Sequence, residues 1–263
     1  MNAVLEQLLR TGASSTPEGG TVPLQSHVDA GEAELLSRVV RELRPRTTLE
    51  VGLAMGCSAL AICDALAATP EARHIVMDPR QNARPLWGGI GLHNLSRAGF
   101  ASRVEFHEQP SHRVLARLET EGRRVQFAFI DGFHTFDHAL VDFFLIDRLL
   151  EPGGAVAFDD ADWPSVRRVV RFVASNRAYV VHAATPPSRA RWSVARRAYE
   201  GVRGAAGVLV GAAERLPGAG GVVRAAVGPE WRGIDARLGL GGRCVVLRKT
   251  AEDSRRFDHH VDF

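Results

Sequence analysis

Three carboxylates and one imidazole stand where chain geometry could gather them. Asp131 closes the apolar run Val125–Ile130, and Asp159 and Asp160 close the run Ala155–Phe158. Short apolar runs bounded by turn residues read as buried strands. If the two strands are parallel neighbours, their ends lie about 5 Å apart. Carboxylates that close repel one another unless one is protonated or a cation intervenes, and an all-oxygen donor set suits a hard ion. Asp131, Asp159 and Asp160 are therefore expected to hold a divalent cation such as Mg²⁺, which would orient an acceptor hydroxyl and lower its pKa. The alternative is that Asp159 and Asp160 open the next loop and cap its helix. His134, just beyond Asp131, is the candidate general base, a role its ordinary pKa suits. The alternative there is a surface or capping histidine.

A second constellation is the run Glu50-Val51-Gly52-Leu53-Ala54-Met55-Gly56-Cys57-Ser58. It follows one apolar run and opens a helical pattern. Glycines at such a turn let the backbone bend sharply and approach a ligand, and open parallel sheets bind ligands beyond the carboxyl ends of their strands. A dinucleotide loop would need glycines where this chain has Ala54 and Cys57, and the lysine of a phosphate loop is absent. An acid at the strand end suits a cationic ligand, and helix N-terminal amides suit a carboxylate. Asp78 ends the next run, His74–Met77, where a carboxylate accepts both hydroxyls of a ribose. The plainer reading of each is a strand-turn-helix with tolerated glycines and an aspartate that starts a turn.

The loop from Glu50 to Ser58 resembles motif I of the class I S-adenosylmethionine-dependent methyltransferases, and the stretch from about Thr47 to Asp160 resembles the O-methyltransferases grouped around catechol O-methyltransferase. That resemblance implies a cofactor site of Glu50, Gly52, Leu53, Gly56, Ser58, Asp78, Ser111, His112 and Asp131, with Ser111 and His112 near the adenine. It implies Asp131 and Asp159 as metal ligands, with Asp160 where the family often has asparagine. His134 stands at the place of the family's catalytic lysine, a departure that leaves His134, or the metal alone, to activate the nucleophile. The expected reaction is methyl transfer from S-adenosylmethionine to an oxygen of a small molecule: a natural product, a sugar or a phenol. The alternatives are a methyltransferase acting on nitrogen or RNA, and a non-catalytic S-adenosylmethionine-binding protein.

The elements that must position these groups alternate. Strands are expected at Thr48–Val51, His74–Met77, Val104–His107, Val125–Ile130, Ala155–Phe158, Ala178–Val181 and Cys244–Leu247. Helices are expected at about Gly31–Leu43, Ser58–Ala68, Asn94–Ala98, Phe136–Leu150, Ser165–Ala174 and Trp192–Arg215. This βαβα rhythm predicts a Rossmann-like, doubly wound, mostly parallel α/β sheet of about seven strands with helices on both faces. Residues 1–30 are expected as a loop or lid, with Thr11 to Pro23 mobile, and 31–263 as the methyltransferase domain. An insertion at about 186–241 is read as a substrate cover or a dimer contact.

The chain's 263 residues suffice for one such domain. No apolar run is long enough to cross a bilayer, and no signal peptide is read at Met1–Arg10, so a cytoplasmic protein is expected. Cys57, Cys63 and Cys244 lack metal-ligand spacing and read as buried thiols. Arginines cluster from Arg167 to Arg203, but no nucleic-acid-reading motif accompanies them, so nucleic acid is not an expected partner. Trp87 and Trp163 are candidates to line the crevice, and a homo-oligomer is compatible with everything above.

Overall fold

The computed structural model describes residues 1–186, 194–218, 220–227, 235, 238–259, 261 and 263. The chain opens with α1 (Ala3–Thr11), the hairpin strands β1 (Ala13–Ser15) and β2 (Thr21–Pro23), and α2 (Ala30–Leu43). Then follow β3 (Thr47–Val51), α3 (Cys57–Ala65), β4 (Arg73–Met77), α4 (Ile90–Arg97), β5 (Val104–His107), α5 (Ser111–Thr120), β6 (Val125–Ile130), α6 (Phe136–Leu149), β7 (Leu150–Phe158), α7 (Pro164–Asn176) and β8 (Tyr179–Ala184). The last described elements are α8 (Val194–Ala213), α9 (Gly220–Ala226) and β9 (Val245–Lys249).

A seven-stranded sheet runs in the order β5-β4-β3-β6-β7-β9-β8. Only β9 runs against the other six strands, so the sheet is mostly parallel and Rossmann-like, as the alternation of runs predicts. Successive side chains of a strand face opposite sides. Phe127 and Phe129 join one core cluster with Leu36 and Val40 of α2 and Leu60 of α3. Ala128 and Ile130 join the other with Phe143 and Ile146 of α6 and Val166 and Val170 of α7. Both faces are thus covered, which is why the strands read as unbroken apolar runs.

The N-terminal expectation is corrected. Thr11–Pro23 is not a mobile loop: β1 and β2 pair in register, with Ser14 opposite Val22, and Leu5 and Leu8 of α1 are fully buried in the core. Asn94 of α4 donates through its amide to Ser14 Oγ at 2.9 Å and to the Met55 carbonyl at 3.0 Å, tying the hairpin to the glycine loop. Through α1 and the β1–β2 hairpin, residues 1–30 pack against the rest of the fold. A helix at Ser111–Thr120 was not read from the sequence. The expected helix from Trp192 begins at Val194, and Trp192 itself, with much of the 186–241 insertion, lies outside the described residues.

The order of strands reverses between β3 and β6, the place where such sheets open a crevice. Past each strand end the ladder continues by one residue. The Gly52 amide donates to Met77 O at 2.9 Å, Asp78 to His107 O at 3.1 Å, Asp131 to Val51 O at 3.0 Å and Asp159 to Ile130 O at 3.0 Å. Gly52 has φ +90°, and a Cβ there would meet the Asp131 carbonyl oxygen at 2.2 Å. Both the dihedral and the contact require glycine. Gly52→Ala is expected to destabilise the fold by more than about 2 kcal/mol, lowering Tm by at least about 4 °C. A thermal melt unchanged from wild type would show that the crossing is not this tight.

Candidate active site

The glycine loop is held from below. Glu50 is fully buried and accepts from the Ser58 hydroxyl and from His74 Nε2, the latter at 2.9 Å. His74 Nδ1 in turn pairs with Thr48 Oγ1 at 2.8 Å. Glu50 thus spends its two oxygens on Ser58 and His74 behind the loop. Asp78 Oδ2 accepts from the Leu53 and Ala54 amides at 3.2 and 3.1 Å, and its Oδ1 accepts from the Arg80 amide at 2.9 Å. Oδ1 keeps one acceptor site for a ribose hydroxyl. The Gln81 side chain bridges the loop to α4, its NH₂ donating to Ala54 O and its oxygen accepting from the Gly91 amide, both at 3.1 Å. Gly56, at φ +83°, brings the loop against Gly91, where a Cβ would meet the carbonyl oxygen at 3.0 Å. Ser111 and His112 open α5; Ser111 is half-buried, His112 exposed. Ser111 lies within hydrogen-bonding reach of Asp142, a buried acid of α6 that burial pushes above the usual carboxylate range. The glycine cradle, the Asp78 carboxylate and the mixed polar wall at Ser111 fit a nucleoside-bearing ligand.

The other half of the rim is a cluster of charges. His134 lies between two acids, with Nε2 at 3.3 Å from Asp131 Oδ1 and Nδ1 at 2.6 Å from Asp160 Oδ2. These two bonds outweigh burial and raise the imidazole to about 10, so the ring is an imidazolium at neutral pH. Neither ring nitrogen is left as a free base facing the crevice. The His134 carbonyl accepts from Ser165 Oγ at 2.5 Å, and Trp163 meets the ring edge-on with centroids 5.5 Å apart. Trp163 is 49% exposed and Phe133 62% exposed, so both offer apolar surface beside the imidazole.

Two residues the sequence reading missed complete the cluster. Arg243 immediately precedes the last apolar run, and because β9 runs antiparallel its first end lies on the same rim. Its carbonyl accepts from the Ala161 amide at 2.6 Å. Its Nε lies 2.8 Å from Asp160 Oδ1 and 3.2 Å from Glu32 Oε1, and its Nη2 3.5 Å from Asp159 Oδ2. Glu32 sits in the first turn of α2, where it and Asp29 form a capping box: the Asp29 amide donates to Glu32 Oε2 at 2.7 Å and the Glu32 amide to Asp29 Oδ1 at 3.0 Å. Burial and the neighbouring Asp159 raise Glu32 to about 8. Burial, then Asp159, pushes Asp131 well up, and burial raises Asp159 despite Arg243. Burial alone would raise Asp160 too, but His134 and Arg243 hold it below the usual range.

This donor set does not fit the expected divalent cation. Asp160 spends one oxygen on His134 and the other on Arg243, and Asp131 faces His134. Among the described residues, no three His, Cys, Asp or Glu side chains are disposed to hold a metal ion. Two of the expected trio, Asp131 and Asp160, are thus engaged by His134, and Asp159 and Asp160 face Arg243. The arginine cluster is also accounted for in part. Arg167 and Arg171 pair with Asp235, and Arg177 with Asp147, so these guanidiniums brace the fold. No helix among the described residues is long and apolar enough to cross a membrane.

Comparison with known proteins bears on this geometry. Residues 49–161 match a family described as a methyltransferase domain. Caffeoyl-CoA O-methyltransferase 2 of Petunia hybrida is 28% identical over 142 residues, covering 51% of this chain and 53% of that protein. Tricin synthase 2 of Oryza sativa subsp. japonica is 30% identical over 140 residues, covering 50% of this chain and 44% of that protein. The chain thus spans about half the length of the curated relatives it matches. Among solved structures, an O-methyltransferase from Bacillus cereus in complex with SAH superposes with TM-score 0.56 at 19% identity, covering 69% of this chain and 83% of that one. TomG from Streptomyces achromogenes, an O-methyltransferase of tomaymycin synthesis in complex with SAM, gives TM-score 0.56 at 21% identity over 69% and 82%.

The raised His134 pKa fixes the sign of a pH dependence. The folded chain binds this proton more tightly than the unfolded one, so the stabilisation is complete below about 6.5 and fades as pH rises toward about 10. The Tm advantage of wild type over His134→Gln is expected to shrink steadily across that interval. A difference that is flat or grows with pH would mean that the imidazole is neutral in the native state.

Proposed function

We propose that this chain is a class I S-adenosylmethionine-dependent methyltransferase of the catechol O-methyltransferase-like type that transfers a methyl group to an oxygen of a small molecule, a reading supported by the methyltransferase-domain match over residues 49–161 and the O-methyltransferase relatives. The observation that carries the reading is the shared rim. Gly52, Asp78, Asp131 and Asp159 all stand one residue beyond neighbouring strand ends, beside the strand-order reversal.

S-adenosylmethionine, when bound, supplies an electrophilic methyl on a sulfonium. In this reading Asp78 Oδ1 receives a ribose hydroxyl, and the loop from Gly52 to Gly56 lies against the nucleoside. Ser111 and His112 border the adenine. Glu50 and Ser58 support the loop from beneath. The acceptor lies against Trp163 and Phe133, whose exposed rings suit a planar group. Its oxygen forms the new bond to the methyl carbon while the sulfur–carbon bond breaks, and the hydroxyl proton passes to Asp131. The side chain of Asp131 is 19% exposed, which keeps it within reach of the crevice. The His134 imidazolium, clamped by Asp160, orients Asp131 and supplies positive charge beside the developing negative oxygen. Assistance by Mg²⁺, expected from the strand-end acids, is not carried into this mechanism, because His134 and Arg243 engage the donor atoms it would need.

Relatives named for caffeoyl-CoA and for tomaymycin synthesis support a phenol or natural-product hydroxyl as the acceptor class, with sugar hydroxyls the further candidates. Calorimetry with S-adenosylhomocysteine, followed by methyl transfer to a panel of phenols, catechols and sugars, tests the reading. One cofactor product bound per chain and a methylated hydroxyl are expected. Asp131→Asn should then lower kcat by about 10²- to 10⁴-fold while leaving the affinity for S-adenosylhomocysteine within about tenfold. Binding without methylation of any hydroxyl would favour a non-catalytic binding protein, and methylation confined to amines or RNA would favour the alternative transferase.

A further inference from the structure

Arg243 stands where the strand-end acids, on their own, would call for an inorganic cation. Two elements deliver three acids to it: Glu32 from α2, and Asp159 and Asp160 from the end of β7. A fourth acid, Asp131 from the end of β6, is joined to the same group through His134 and Asp160. Four carboxyl groups in so small a volume repel strongly when ionised unless protons or built-in positive charge offset them. The chain builds in two organic cations: the imidazolium bridges Asp131 and Asp160, and the guanidinium bridges Asp160, Asp159 and Glu32. An arginine suits this task, since its planar fork presents several donors at fixed angles and its charge does not titrate away. Arg243 Nη1, Asp159 Oδ1 and Glu32 Oε1 are all buried with no hydrogen-bond partner, Glu32 Oε1 meeting the guanidinium as an ion pair alone. The guanidinium is therefore not saturated by the acids it faces, and it retains a donor at the inner wall of the cluster.

We propose that Arg243 takes the place of a divalent cation at this rim, so that the carboxylate cluster is closed by protein side chains and binds no metal. The inference rests on the reading of the rim as a methyl-transfer site and adds to it that the reaction runs in the presence of a chelator. Arg243 is a positioning residue in this account: it sets the direction of Asp160, which in turn holds the imidazolium against Asp131. The cation's charge is thereby supplied without an open coordination position, so an acceptor with two adjacent hydroxyls has no ion to chelate. Selection would then act through shape and a single oxygen, and catechols would gain no advantage over monophenols of similar size.

The test is a titration of the whole chain with Mn²⁺, followed by the loss of the free-ion signal in electron paramagnetic resonance, with and without saturating S-adenosylhomocysteine. Wild type is expected to bind no stoichiometric Mn²⁺ at millimolar concentration; one ion bound per chain would overturn the proposal. Arg243→Met removes the guanidinium and leaves the acids, and is expected to gain one Mn²⁺ site. A folded Arg243→Met chain that still binds none would also overturn it, since the acids would then not form a cation site. Should that variant fail to fold, Arg243→Lys keeps the charge: a folded, Mn²⁺-free chain supports the proposal, and a Mn²⁺-binding one contradicts it. Binding of S-adenosylhomocysteine is measured in the same samples. Its absence counts against the methyl-transfer reading, and the manganese result judges the role of Arg243 separately.

Discussion

The Asp131 amide donates to the Val51 carbonyl at 3.0 Å, and Gly52 begins its turn at that point with no room for a side chain. This crossing joins β3 and β6 where the strand order reverses. The helices that follow the two strands, α3 and α6, pack on opposite faces of the sheet, the arrangement at which such folds open a crevice. The glycine loop, Asp78 and Ser111 lie on one side of it, and the cluster of Asp131, His134, Asp159, Asp160 and Arg243 on the other. Any group larger than hydrogen at position 52 would push the loop off the Asp131 carbonyl and separate the two halves.

The charge cluster depends on the same edge for a different reason. Burying several carboxylates is costly, and their attraction to a partner offsets that cost only with close geometry. Parallel β6 and β7 bring Asp131, Asp159 and Asp160 to the rim by their carboxyl ends. Antiparallel β9 brings Arg243 there by its amino end, and the first turn of α2 adds Glu32. One reversed strand therefore converts an acidic edge into a partly neutralised one. The imidazolium of His134 does the rest, and its two partners keep it charged well above the ordinary histidine range. In the proposed reaction, this fixed positive charge would be available without reorganisation as negative charge develops on the acceptor oxygen.

Much of this was legible in the residues because the strands are buried on both faces. Runs such as Val125–Ile130 stop abruptly at an acid, so the strand ends, and with them Asp78, Asp131 and Asp159, could be read directly. The glycine loop was legible through its spacing. The same double burial hid other things. In a strand with no exposed face, nothing in the pattern tells which way Glu50 points, and it turned out to lie under the loop with Ser58 and His74. Arg243 was missed because its place follows from the direction of β9, and periodicity carries no direction; the arginine directly before a late apolar run was the available signal. Glu32 was visible as Asp29-x-x-Glu32, a helix-start pattern, but not as a neighbour of Arg243 across the fold. The small polar residues of Thr11–Pro23 suggested a loose loop, whereas their order comes from distant partners, Asn94 on Ser14 and His93 on Ser15, that local composition cannot report.

The central claim is that one crevice at the β3–β6 crossing receives the adenosyl ligand, with both rims taking part. Hydrogen–deuterium exchange of the chain with and without S-adenosylhomocysteine tests this most directly, since it reads every backbone amide at once. The account predicts slowed exchange in three separated segments together, around residues 52–58, 78–82 and 131–134. Protection confined to one of them, or to none while the ligand is bound elsewhere, would contradict it.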